Sequence, residues 1–391
     1  MADAILTINA GSSSIKFALF ELKNELIRTA VGLVENIGAA PHLRIKTGDQ
    51  VALEKRWPDH APLNHEDLLG EVLGWVDAHL GDDVLVAAGH RIVHGGQSFT
   101  APLLLDPAHL AEIAQLSQLA PLHEPHNCAA VQALFKLRPA LPQVGCFDTS
   151  FHHTIPDIAT RFAIPRKFHD EGVRRYGFHG LSYEYITSRL PDLAPHLARS
   201  RLLIAHLGNG ASMCAVKDGK SIDTTMGFTA LDGLVMGTRC GAIDAGVLIY
   251  FMQSHGMNAE DLTSLLYKKS GLLGVSGISA DVRTLEENST KEAREALDLF
   301  TYQAARQAGE LITSLGGLDG LVFTAGIGEH APAIRAAICE RLAWMGIKLS
   351  PQANAANEST ISAPDSAVEV RVIPTDEELM IATHTRSLIN K

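Results

Sequence analysis

The feature that most restricts the fold is a strand–turn–strand unit that occurs twice, once at the start of the chain and again about 200 residues later. The first copy runs from a strand, Ala4 to Ile8, through a small-residue turn, Asn9 to Ser14, into a second strand, Ile15 to Phe20. The second runs from Arg201–Leu207 through Gly208-Asn209-Gly210-Ala211-Ser212 into Met213–Val216. Short apolar runs bounded by Gly, Asn and Ser read as buried strands closed by tight turns. Two copies of one unit imply an internal duplication and hence two similar α/β domains facing each other. At 391 residues the chain also exceeds the size at which one hydrophobic core stops growing.

The remaining pattern fills in a mixed α/β order. Leu68, Leu69, Val72, Leu73, Val76 and Leu80 share one helical face, with Asn64 placed to cap the helix. A strand leads into Gly89-His90-Arg91-Ile92-Val93-His94-Gly95-Gly96. Pro107–Leu119 and His126–Leu137 read as helices, and Gln143–Phe147 as a short buried strand ending at Asp148. Further helices are expected over Ala259–Lys269 and Thr290–Leu315. A strand follows at Gly320–Thr324, then a glycine turn at Gly326 and Gly328 and a helix over Pro332–Trp344. The strand Val368–Ile373 leads through Pro374–Glu378 into a last helix.

Charge and cysteine usage exclude several classes. A net charge of −11 argues against a nucleic-acid surface, whose affinity comes from Lys and Arg on phosphates. It also means that a polyphosphate ligand needs glycine amides, a local cluster of cations or a metal. The five cysteines are scattered without CxxC spacing and read as reduced core residues. No segment has the apolar length to span a bilayer, and Met1-Ala2-Asp3-Ala4 lacks a basic leader. A soluble, cytoplasmic protein with no membrane partner is expected.

The two Gly/Ser/Asn turns carry the chemical signal. Small residues let backbone N–H groups approach an anion, hydroxyls add donors, and Lys16 supplies a point charge just past the serines. A single such turn is more simply a tight hairpin; two in a duplicated chain fit a clamp on phosphates. Gly326-Ile327-Gly328-Glu329-His330-Ala331 fits G-x-G-x-x-A, a weak dinucleotide signal without the acidic residue expected about 20 residues on. A Walker A sequence is absent. The second set is polar residues at strand ends or between glycines: Arg91, Asp148, His179 and Arg239. Charges in such surroundings are costly unless paired, so each is either half of a structural ion pair or part of a site.

These segments, in this order, resemble the acetate kinases, within the acetate and sugar kinase, Hsp70 and actin superfamily. The resemblance covers essentially the whole chain. It rests on Asn9–Lys16, Gly89–Gly96, Leu119–His123, Phe147–His152, Arg174–Gly180, His206–Ser212, Met236–Gly241, Asp281–Arg283, Thr324–Glu329 and Pro374–Glu378. It implies a duplicated actin-like (ribonuclease H-like) α/β fold with the active site in the cleft between two domains. One domain is 1–149 plus 375–391 and the other 150–374, the latter binding nucleotide and making the contacts of a homodimer. By matched position, Asn9 and Glu377 resemble a Mg²⁺ site (with Mn²⁺ able to substitute), and Ser12, Ser14 and Lys16 resemble phosphate contacts. His206, Leu207, Gly208, Asn209, Gly210, Asp281, Val282, Arg283, Gly326, Ile327, Gly328, Glu329 and His330 resemble the ATP/ADP side. Arg91 resembles the carboxylate anchor, and Val93, Leu122, Phe178 and Ala230 the methyl pocket. Asp148, His179 and Arg239 resemble the catalytic set.

The implied reaction suits these residue types. A short carboxylic acid has a pKa of about 4 and is ionised at neutral pH, so it needs no general base. Its difficulty is approaching a phosphate of like charge, which Arg91 answers with a two-pronged contact. Direct in-line transfer, with Asp148 orienting the metal or nucleophile, is the expected mechanism. Three positions depart from the family pattern. Ala230 stands where Pro is usual, which enlarges the acid pocket and makes propionate an expected second substrate. Glu124 stands where Asn usually follows His123, and His330 where Asn follows the Gly-x-Gly-Glu turn; the second of these leaves ATP against GTP open. The alternatives are a propionate or broader short-chain carboxylate kinase, and, more distantly, an actin/Hsp70-type ATPase.

Overall fold

The structure, a computed structural model, describes residues 3–120 and 123–390. The chain divides into two compact units, one running to Ser150 and resuming at Asp376, the other Phe151–Thr375. The first is built on an eight-stranded sheet. Its strands are β1 (Asp3–Ala10), β2 (Ile15–Leu22), β3 (Leu26–Glu35), β4 (His42–Thr47), β5 (Gln50–Arg56), β6 (Val84–Ile92), β7 (Leu103–Leu104) and β8 (Gln143–Phe147), in the order β5-β4-β3-β2-β1-β6-β8-β7. The second holds five strands, β9 (Arg201–Leu207), β10 (Ala211–Lys217), β11 (Lys220–Thr224), β12 (Gly320–Thr324) and β13 (Glu369–Val372), ordered β11-β10-β9-β12-β13.

One plan underlies both sheets. In the first, β1 and β2 form an antiparallel hairpin extended by β3, and β6 then β8 add in parallel on the other side of β1. In the second, β9, β10 and β11 form the same antiparallel run, and β12 then β13 add in parallel beside β9. This is the duplicated, two-domain actin-like α/β fold; β4, β5 and β7 are additions at the edges of the first copy.

Helices cover both faces, which is why strands such as Ile5-Leu6-Thr7-Ile8 are apolar on both sides. Alternation sends Leu6, Ile8, Phe17 and Leu19 into a core with Leu68, Leu69, Val72 and Val76 of the helix His65–Leu80. It sends Ile5, Ala18 and Phe20 to the opposite face, against Ala382 of the C-terminal helix Glu377–Ile389. The first helix begins where the sequence places its cap, with Asn64 Oδ1 accepting from Glu66 N at 2.8 Å and Asp67 N at 3.1 Å. Gly89 admits the C-terminal helix against β6, since a Cβ there would lie 2.3 Å from Thr385 Oγ1 and 2.6 Å from Ile381 Cγ2. That close approach sets Glu377, at the helix start, near the end of β6.

Several boundaries differ from the sequence expectation. The helix expected over Pro107–Leu119 is α-helical only to Gln115 and tightens to a 3₁₀ turn over Leu116–Gln118. The one expected from His126 begins at Glu124, with Pro125 tolerated in the first turn where no N–H partner is needed. The helix expected over Pro332–Trp344 ends at Arg341, followed by a 3₁₀ turn at Ala343–Met345. The glycine turn expected at Gly326 and Gly328 is instead a short helix, Ala325–His330. The cause is Arg335, fully buried, whose Nη1 donates to the carbonyls of Gly328 and Glu329 at 2.9 Å each. It satisfies backbone acceptors that a helix end leaves open. Among the described residues no helix is long and apolar enough to cross a membrane.

Candidate active site

In the first unit the chemistry gathers at the carboxyl ends of the parallel strands, the usual place for ligands in such sheets. Arg91 lies near the end of β6, and Asp148 follows β8 directly, its N–H donating to Ile92 O at 3.0 Å. The two side chains meet in a two-pronged pair, Nε to Oδ1 at 3.0 Å and Nη2 to Oδ2 at 2.5 Å. The remaining Arg91 Nη1 donates to Asn9 Oδ1 at 3.3 Å. Burial opposes the guanidinium charge, but Asp148 and Glu377 outweigh it and hold Arg91 charged well above its ordinary range. Glu377 is also raised, toward its neutral form: desolvation lifts its pKa most, Arg91 pulls it down, and Asp148 and Glu378 raise it again.

These residues suit a hard cation. Asn9 offers an amide oxygen and Glu377 a carboxylate, in a neighbourhood where Asp148, Glu377 and Glu378 outnumber Arg91 and Lys16. Among the described residues no group of three or more His, Cys, Asp or Glu is arranged to hold a metal alone. A small cation that keeps several waters and takes its other ligands from phosphates needs only one or two protein oxygens.

The loop past Arg91 is pinned to the first turn by a residue the sequence reading assigned no role. Buried Asn127 accepts from Val93 N at 2.9 Å and donates to Ala10 O at 2.7 Å. A polar side chain on the same helical face as Ala130, Val131 and Leu134 was the available signal. Across the β1–β2 hairpin, Asn9 lies opposite Lys16, so both turn ends face one side. The turn is closed by Gly11 N donating to Ser14 O at 2.8 Å, leaving Ser12 exposed. Val93 is buried at the end of this run; Leu122 lies outside the described residues.

The second unit carries the other set. His179 takes a left-handed backbone, φ 58°, immediately before the helix Gly180–Leu193. Its ring stacks on that of His206 at 4.2 Å. Phe178 is buried, and its carbonyl is 2.9 Å from Nε2 of His152, a buried histidine held neutral with a pKa of about 4 by desolvation. Arg239 Nη1 donates to Ala230 O at 2.9 Å. A Cβ on Gly210 would lie 3.3 Å from His179 Nε2 and 4.0 Å from Arg239 Nη1, so both groups face the second glycine turn.

Beside that turn lies a pocket of about 430 Å³ lined by Gly208, Asn209, Asp281, Val282, Arg283, Gly326, Ile327 and His330, together with Ala280, Glu286 and Ala331. The first eight are sequence-predicted nucleotide residues that local pattern alone could not bring together; Ala280, Glu286 and Ala331 were missed. His206 and Leu207 are buried in β9 rather than lining the pocket. Gly328 is buried within its short helix rather than lining the pocket, and Glu329 accepts from Thr375 N at 3.2 Å. Asp281 caps the short helix Val282–Glu286, its Oδ1 accepting from Thr284 N at 2.9 Å, a bond that lowers its pKa.

A duplicated actin-like fold with charged groups at the strand ends and a glycine-bounded pocket fits the two-domain phosphotransferases of this superfamily. Within it the chain belongs to the acetokinase family, whose model matches residues 4–383. It is 50% identical to an acetate kinase of Rhodopseudomonas palustris over 98% of each chain. Among solved structures it resembles a propionate kinase from Francisella tularensis (TM-score 0.92, 36% identity, covering 99% of this chain and 100% of that one). An acetate kinase of Porphyromonas gingivalis is similar at TM-score 0.88 and 37% identity over the same shares.

Proposed function

We propose that this enzyme reversibly transfers the γ-phosphoryl group of ATP to acetate, giving acetyl phosphate and ADP. The observation that carries the reading is Arg91, a guanidinium held charged at a strand end beside buried Val93. A charge next to an apolar wall suits a carboxylate with a short tail. Because that acceptor is already ionised, the site needs an anchor rather than a base. Arg91 orients the acid; Asp148, paired to it, fixes the guanidinium plane. Arg239 and His179 donate to the oxygens of the transferring phosphoryl group, the positioning and charge stabilisation on which such transfers depend. Mg²⁺ held by Asn9 and Glu377 would neutralise phosphate charge, with Mn²⁺ able to substitute. Lys16, Ser12 and Ser14 contact phosphate, and the pocket at Asp281–Arg283 and Gly326–His330 takes the nucleoside.

Two extensions follow. Propionate is a second acceptor, supported by Ala230 and by the likeness to the Francisella propionate kinase; one methylene is worth only about 1–3 kcal/mol of discrimination. The chain forms a homodimer through the second unit. Its helix Ala245–His255 buries none of its residues, and Ile249, Tyr250 and Met252 are each more than half exposed. Such a patch on one helix calls for a partner. The deciding experiment traps acyl phosphate with hydroxylamine, using ATP, Mg²⁺ and acetate, then propionate and butyrate. Hydroxamate from acetate and, more slowly, propionate is expected; none from any acid refutes the reading. Light scattering at about twice the 42.0 kDa chain mass would support the dimer.

A further inference from the structure

The stacked histidines of the second unit are each gripped at the same nitrogen by a serine. His179 Nδ1 is 2.8 Å from Ser212 Oγ, and His206 Nδ1 is 2.8 Å from Ser182 Oγ. Both serines are fully buried. Each has a second partner: Ser182 Oγ donates to Thr375 Oγ1 at 2.9 Å, and Ser212 Oγ is bonded to the Tyr183 hydroxyl. The two brackets look alike, but their proton count differs.

A serine hydroxyl has one proton to give. Ser182 gives its proton to Thr375, so it must accept from His206 Nδ1–H, and neutral His206 carries its lone pair at Nε2. In the other bracket Tyr183 is the stronger acid, a phenol against an alkanol. Tyr183 therefore donates to Ser212, and Ser212 donates to His179 Nδ1. Neutral His179 then has its proton on Nε2, the nitrogen that faces the Gly210 turn beside Arg239. We propose that Ser212 and Tyr183 are positioning residues that lock His179 in the Nε2–H tautomer, so that it meets the transferring phosphoryl group as a neutral N–H donor. This rests on the function proposed above.

The arrangement solves a specific electrostatic problem. A second full cation beside Arg239, on a ring stacked against another imidazole, would be hard to hold. An ordinary imidazole, with a pKa of about 6.5, is mostly neutral above neutral pH. A neutral imidazole donates from only one nitrogen, and which one depends on the partner of the other. Without the serine, part of the enzyme would present a lone pair to an anionic oxygen.

The test uses the full-length enzyme with Ser212→Ala and Tyr183→Phe, each made also in a His179→Ala background. Ser212→Ala is expected to lower kcat about 10- to 100-fold, the usual effect of losing such a supporting bond, with KM for both substrates within about twofold. In the His179→Ala background the same change should cost nothing further. An equal loss in both backgrounds would overturn the proposal, because Ser212 would then act on the fold and not through His179. Tyr183→Phe, which keeps the ring packing, carries the same test if Ser212→Ala does not fold. Nitrogen-15 NMR of labelled histidine gives a readout independent of turnover. His179, assigned by its loss in His179→Ala, should be Nε2–H in the wild type and a tautomer mixture in both variants. An active enzyme with His179 as Nδ1–H would sink this inference alone. An Nε2–H signal in a protein that phosphorylates no carboxylate would uphold the tautomer lock and remove the function.

Discussion

Replacing Glu124 by Gln should leave stability almost unchanged in mild acid and raise it strongly in mild base. Glu124 opens the helix Glu124–Leu137 and is fully buried. Its Oε2 accepts from His94 N at 3.2 Å, and Oε1 has no hydrogen-bond partner among the described residues. Burial is the main cause raising its pKa from the ordinary 4.5 to about 8; the His94 N–H opposes this and Asp148 adds to it. Cys128 also faces the carboxyl, and its thiol is pushed up to about 12, by burial and then by Glu124. With a raised pKa, the folded protein keeps a proton that the unfolded chain releases. The contribution is whole below the unfolded value, falls as pH rises through the window from 4.5 to about 8, and is constant beyond. At 1.36 kcal/mol per unit the full effect is of the order of 5 kcal/mol, most of it between about pH 5 and about pH 9. Gln copies the neutral acid at every pH. Urea unfolding of both proteins at those two pH values, followed by tryptophan fluorescence, measures the difference; Trp57 and Trp75 lie in the unit that holds Glu124. The Gln variant should gain several kcal/mol over the wild type on going from acid to base. A constant difference between the two proteins would refute the reasoning, showing that folded Glu124 titrates like a free carboxyl.

Arg91→Lys keeps the charge but loses the two-pronged contact with Asp148, so kcat/KM for acetate should fall at least tenfold in initial-rate assays. Arg91→Ala should destabilise the first unit by about 3–5 kcal/mol in urea titrations, because it strands the buried Asp148 carboxylate. Arg335→Leu removes the donors to Gly328 O and Glu329 O. At about 1–3 kcal/mol for each stranded acceptor, it should raise KM for ATP several-fold while leaving KM for acetate unchanged. Burial pushes the Cys339 thiol up to about 12 and Cys214 higher still. Native protein near pH 8 should therefore leave both unalkylated by iodoacetamide, with mass spectrometry detecting label only after denaturation.

Local features of the fold were legible because they have local causes. The apolar runs around Asn9–Ser14 and Gly208–Ser212 had to be strands closed by tight turns, and Asn64 had to cap a helix whose buried face repeats every three to four residues. The repetition itself gave the two sheets and, through the resemblance, the family. Candidate charges were visible too, since Arg91, Asp148, His179 and Arg239 stand among apolar residues and glycines that cannot solvate them. Their partners were not. The pairing of Arg91 with Asp148, and the return of Glu377 to the end of β6 through the gap left by Gly89, depend on which strands lie side by side. The same holds for Asn127, which ties two loops far apart in sequence, and for the serine brackets on His179 and His206.

Gly326–Gly328 shows the limit most clearly, because glycine favours a turn there and a buried guanidinium nine residues beyond Gly326 makes it a helix. Sequence determined where strands, caps and unsolvated charges must be, because backbone preference and hydrophobic period act over a few residues. The tertiary structure decided which charge meets which and which nitrogen carries a proton, because desolvation and hydrogen bonding depend on neighbours that only the folded chain brings together.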